Sequence, residues 1–159
     1  DILFIDGTPD TEEDKVGKSF VSAKGDLFDK MLNAIKLKKN DIFIVNAIPW
    51  RPPGNRYPTA EEIKICRPFI FNLIKLLRPK IIVCLGEIST NQILHLNQSF
   101  IKTRGKWHSL KSNPINGFDE EYNPYVLPTL NISYLLTRPD MKRQAWEDIK
   151  LLRDKIREI

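Results

Sequence analysis

The chain holds two histidines, His95 and His108, and two cysteines, Cys66 and Cys84, so side chains that commonly bind metals or act as nucleophiles are few. Neither histidine has a second ligand at helical or loop spacing, and the thiols lie far apart in apolar runs. A metal site and a disulfide framework are therefore not expected. No G-x-G-x-x-G follows the first apolar run, and neither G-x-x-x-x-G-K-[ST] nor G-x-S-x-G occurs, which disfavours nucleoside triphosphate chemistry and serine hydrolysis. What remains is a turn cluster with two carboxylates, Asp6-Gly7-Thr8-Pro9-Asp10, and a basic stretch from Phe100 to Asn113. That stretch carries Lys102, Arg104, Lys106 and Lys111 without an acid. It fits a phosphate-facing edge and equally a solvated surface loop.

The segments that must position these residues are legible from apolar spacing. Ile2 to Ile5, Ile42 to Val45, Ile81 to Leu85 and Tyr125 to Leu127 are short continuous apolar runs, the pattern of strands buried on both faces. Between them, Asp26 to Lys36 places Leu27, Phe28, Met31, Leu32 and Ile35 on one helical face. Thr59 with Glu62 forms a capping box for a helix that Pro68 should interrupt near Arg67 and Arg78-Pro79 should stop. Gly86 opens a helix to about Leu94, with His95 on its surface, and a last helix runs from about Pro139 to Glu158. Such alternation predicts an α/β fold, a three-layer α/β/α sandwich around a four-stranded, mostly parallel sheet. Ligands of such folds bind beyond the carboxyl ends of the strands, here the loops at 6–10, 46–58, 86–89 and 129–138.

Composition agrees with one folded domain over residues 1–159. The chain is 42% hydrophobic and 28% charged, long enough to close a core without disulfides or metal. Its longest apolar runs are far below the ~20 residues of a membrane helix. The start at Ile2-Leu3-Phe4-Ile5 has no basic segment before it, so no secretory signal is expected. Reduced buried thiols point to the cytoplasm. The net charge of +5 is a modest hint of a polyanionic partner.

Several blocks carry a resemblance in order along nearly the whole chain. They are Asp14-Lys15, Gly17 to Val21, Asn46, Arg51-Pro52-Pro53-Gly54-Asn55-Arg56, Glu61-Glu62-Ile63, Cys66-Arg67-Pro68-Phe69 and Arg104-Gly105-Lys106-Trp107-His108. Together they resemble bacterial family-four uracil-DNA glycosylases, of which the Arg-Pro-Pro-Gly-Asn-Arg string is the most specific mark. The resemblance implies a protein that holds a base flipped out of DNA and cuts its glycosidic bond as negative charge gathers on the departing base. It assigns Phe20 to stacking on the base and Asn46 to reading its edge.

Two motifs depart from that pattern. A Gly-Glu-Ala-Pro-Gly loop is replaced by Asp6-Gly7-Thr8-Pro9-Asp10, which puts Gly7 at the carboxylate position. A His-Pro-Ala motif is replaced by Asn131-Ile132-Ser133. Asn131 then stands where a donor to the anionic oxygen is needed, and Asp10 is the carboxylate best placed to substitute from a shifted position. The resemblance also implies a four-cysteine iron-sulfur cluster, but Trp50 occupies the third ligand position, only Cys66 matches the fourth, and the first two would precede Asp1. No cofactor or metal is expected, and Trp50 should pack in the cluster's place. Expected contacts to DNA are Pro9, Arg51, Arg56, Lys102, Arg104, Lys106, Ser133 and Arg138. Three readings follow: a monomeric glycosylase of reduced or altered activity on uracil or a related damaged base; a catalytically silent DNA or base-binding module; and a structural descendant with a protein partner.

Overall fold

A computed structural model describes residues 1–94, 98–110, 118, 119 and 121–159. Strand β1 (Ile2–Asp6) is buried along its whole length, as its unbroken apolar run requires. It pairs in parallel with β2 (Phe43–Asn46) on one side and β3 (Ile81–Leu85) on the other. β5 (Tyr125–Thr129) continues the parallel set beside β3. A two-residue β4 (His108–Ser109) closes the far edge antiparallel to β5, giving the order β2-β1-β3-β5-β4. The sheet thus has five strands where four are expected. The additional one lies inside the basic stretch, too short to show any period.

Alternate strand residues face opposite layers. Phe4, Val83 and Leu127 pack with α2 (Ser22–Ala34), α6 (Ile132–Thr137) and α7 (Lys142–Glu158), through Phe28, Leu32, Ile132, Leu135, Ile149 and Leu152. Ile5, Ile82, Cys84 and Val126 pack with α3 (Ala60–Leu77) and α4 (Glu87–Ile93), through Ile70, Phe71, Ile74 and Ile93. The three-layer α/β/α reading is the observed architecture. None of the described helices is long and apolar enough to cross a membrane.

Local signals explain the helix ends. Thr59 and Glu62 make the reciprocal capping box, at 3.1 and 3.0 Å. α3 then runs to Leu77 through Pro68 without interruption, against expectation. Burial of Ile63, Cys66, Ile70, Phe71 and Ile74 along one stripe holds the turn that lacks one backbone donor. Three further helices are absent from the apolar pattern, among them α6 after β5. α1 (Thr11–Val16) is short and polar, started by Asp10, and α5 (Phe100–Thr103) is a single turn. The predicted helix-surface position of His95, and Lys111 of the basic stretch, lie outside the described residues.

Candidate functional site

The carboxyl edge of the sheet gathers four chain segments. Asp6 is in register with Asn46 on the neighbouring strand, and the Gly86 amide donates to Thr129 O, which draws the β3 and β5 loops together. A side chain on Gly86, whose φ is +96°, would stand 3.0 Å from Asn131 Cβ; one on Gly7 would stand 3.2 Å from Ile88 Cδ1. Gly7, Gly86, Glu87, Ile88 and Asn131 are therefore immediate neighbours.

Beneath this edge lies a buried ionic network. The Lys24 ammonium, only 3% exposed, donates to Asp6 Oδ2 at 2.6 Å and to Glu13 Oε1 at 2.7 Å. Asp6 Oδ1 accepts from Asn131 Nδ2 at 3.0 Å, and Glu13 also accepts from the Phe20 and Asp10 amides. Burial pushes the Asp6 carboxyl above its ordinary range against the pull of Lys24. For Lys24, burial acts downward, but the contacts with Asp6 and Glu13 outweigh it and raise the pKa, so the ammonium stays charged. Sequence reasoning missed Lys24 and Glu13. The available signal was Lys24 four residues before Phe28, on the apolar stripe of α2, where a solvated lysine does not belong.

The residues expected at the site fare differently. Asn46 lines a cavity of about 380 Å³ with Pro9, Glu13, Lys18, Ser19 and Pro49. Its Oδ1 accepts from Ser19 Oγ at 3.3 Å, while its Nδ2 is buried without a partner. Phe20, expected to stack on a base, is instead 2% exposed in the core. Its ring lies 4.0 Å from that of Phe28 and nearly parallel to it, with Lys24 Nζ at 5.1 Å. The turn that presents it is left-handed, with φ +54°, fixed by the bond from its amide to Glu13 and by Gly25, where any side chain would collide with Phe20 O.

Asn131 and Asp10 are committed to capping rather than free for chemistry. Asn131 Oδ1 accepts from the Ser133 and Tyr134 amides, and its Nδ2 donates to Asp6 and Leu85 O, so each hydrogen-bonding position is taken. Asp10 accepts from the Glu13 amide at 2.8 Å as the N-cap of α1 and lines neither cavity described here. Gly7 borders a second, larger cleft of about 610 Å³, with Tyr57, Gly86, Glu87, Ile88, Asn131 and Tyr134.

Among the proposed DNA contacts, Arg104 already holds a partner within the fold. It forms a two-pronged bond to the buried Asp148 of α7, whose Oδ2 also accepts from Thr129, so it clamps the loop to the core while lining the larger cleft. Burial pushes Asp148 upward, opposed by Arg104. Arg51, Arg56 and Arg138 pair with Asp14, Glu62 and Asp140 at the surface. Lys102 and Lys106 are exposed, and Ser133 is half-buried behind the Asn131 cap. Trp50 is 41% exposed rather than packed, with its indole N–H donating to Glu62. Cys66 is buried with Ile48 and Ile63, and Cys84 lies in β3 on a different core cluster. The residues of this chain do not fit a four-thiolate cluster: two cysteines that never meet cannot hold one. Among the described residues no group of three or more histidine, cysteine or carboxylate side chains converges on a point.

Comparison with known proteins agrees with this architecture. Residues 1–150 match the family model described as the uracil DNA glycosylase superfamily. A type-4 uracil-DNA glycosylase of Sulfurisphaera tokodaii is 35% identical over 97% of this chain and 69% of its own length. That of Saccharolobus solfataricus is 34% identical over 97% and 70%. That of Thermotoga maritima is 34% identical over 94% and 74%. With a family-model match over residues 1–150 and about a third of its residues shared with these relatives over nearly its whole length, the chain belongs to the uracil-DNA glycosylase superfamily.

Proposed function

We propose that this chain recognises a base turned out of DNA and hydrolyses its glycosidic bond slowly, acting as a cytoplasmic monomer. The observation that carries the reading is Asn46: a buried amide N–H with no partner, beside a cavity at the end of β2. A donor left unpaired costs ~1 to 3 kcal/mol, a loss that a base carbonyl entering the cavity would recover. Uracil presents such a carbonyl where cytosine presents an amino group. Exposed Lys102 and Lys106, with Arg51, Arg56 and Arg138 exchanging their surface carboxylates for phosphate, would position the strand. The relatives named above support DNA as partner.

Low activity follows from the committed groups. Asn131 offers no free hydrogen to a developing oxyanion, and loss of one such donor costs ~10² to 10³ in rate. These same commitments favour a second reading, a base-binding module without catalysis. Abasic-site formation on single- and double-stranded DNA containing uracil separates the two. Slow but enzyme-dependent cleavage is expected, and binding with no cleavage at any enzyme concentration would favour the silent module.

A further inference from the structure

The larger cleft holds a carboxylate that the sequence pattern did not single out. Glu87 is the first residue of α4, exposed, and the one acid among the described residues lining the cleft of about 610 Å³. Its neighbours on either side fix its place. Gly86 packs so closely on Asn131 that any side chain there would stand 3.0 Å from Asn131 Cβ, and the Ile88 side chain covers Gly7. Glu87 is thus held between the ends of β1 and β5. Its charge also reaches across to Tyr57, whose phenol is pushed up first by burial and then by Glu87.

The cleft takes in Gly7 at the end of β1, and the Asn46 cavity lies at the end of the neighbouring β2. The Ala47 amide donates to Asp6 O, and the Ile48 amide to Gly7 O, so the β1 and β2 loops run side by side. Adjacent strands are about 4.8 Å apart. A nucleoside whose base edge meets Asn46 is long enough for its sugar to reach the strand end that carries Gly7. Breaking a glycosidic bond generates an oxocarbenium-like sugar, and a carboxylate next to the anomeric carbon stabilises that charge and takes a proton from the attacking water. Among the described residues no other acid borders the cleft to do so.

We propose that Glu87 is the catalytic carboxylate of this chain, an assignment that rests on the hydrolytic reading above. The C1′–N bond breaks, its electron pair leaving on the base nitrogen. Water oxygen bonds to C1′ and passes a proton to Glu87, and the base anion is protonated from solvent while Glu87 returns its proton there. Atoms and charge balance without a cofactor.

The test compares the unaltered chain with Glu87→Gln, Glu87→Asp and Glu87→Ala, measuring abasic-site formation and, separately, affinity for uracil-containing single-stranded DNA. Since Glu87 is exposed, all three should fold, which thermal melting verifies. Glu87→Gln should lower cleavage by about 10²-fold or more with affinity unchanged. Glu87→Asp should retain part of the rate, and added formate should partly restore Glu87→Ala. Cleavage by Glu87→Gln within about threefold of the unaltered chain overturns the assignment and leaves hydrolysis standing. Absence of cleavage by the unaltered chain overturns both, while retained preference for uracil-containing DNA would leave recognition through Asn46 intact.

Discussion

Lys24 shows how a single side chain can reorganise a site. An isolated ammonium in a protein interior is costly, and two carboxylates at 2.6 and 2.7 Å offset that cost only while all three remain. Lys24→Met should therefore leave Asp6 and Glu13 uncompensated and destabilise the fold by about 3 to 5 kcal/mol, measured by urea unfolding. A loss under 1 kcal/mol would mean that the carboxylates reach water. Raised pKa at Lys24 makes its contribution fully present below the ordinary lysine value of 10.5 and lost as pH climbs through the raised one. The same network occupies Asn131 through Asp6 and shapes the Phe20 turn through Glu13. Replacement of a motif glycine by Asp6 was visible in the chain, and Lys24 on the apolar stripe of α2 pointed to a buried charge, but the pairing of the two was not legible, because ion pairing across a fold leaves no local spacing.

The capping groups were legible where they begin a long amphipathic helix and illegible where they do not. Thr59 and Glu62 announce α3 because Ile63, Cys66, Ile70 and Ile74 follow at helical spacing. Asp10 and Glu13 make the same reciprocal box, yet α1 behind them has six mostly polar residues, so Asp10 reads as a turn acid although its side chain is the N-cap of α1. Asn131 is a similar case: its position after β5 suggests chemistry, and its side chain serves the first turn of α6. β1, β3 and β5 were legible because burial on both faces removes polar alternation, whereas β2, exposed or half-buried along its length, was read from its apolar run alone and β4 was missed. Titration tests the Thr59–Glu62 cap. Hydrogen bonds from Arg56, then from Thr59 and Trp50, lower Glu62 from 4.5 to about 2. A depressed carboxylate stabilises the fold fully above its unfolded value and progressively less as pH falls toward about 2. The Tm difference between the chain and Glu62→Gln should accordingly be largest near neutral pH and shrink between pH 4.5 and 2. A difference that is constant across that range would show that Glu62 acts through packing alone.

The assembled molecule keeps a superfamily's frame with an asparagine and a glycine at two of the positions that the resemblance assigns to chemistry. Sheet order, helical layers and strand-end loops all place Asn46, Gly7, Glu87 and Asn131 along one edge. Asn46 alone among the expected base contacts offers a buried, unused hydrogen-bonding atom, whereas Phe20 is enclosed by Phe28 and α2. Recognition is thus predicted to depend on Asn46. The direct measurement is fluorescence anisotropy of a short single strand carrying one uracil against the same strand with cytosine there, for the chain and for Asn46→Ala. Tighter binding of the uracil strand is expected, with Asn46→Ala erasing a preference of roughly fivefold, about 1 kcal/mol for one hydrogen bond, and leaving cytosine-strand affinity unchanged. Equal affinity for both strands, or a preference that survives Asn46→Ala, would contradict the account.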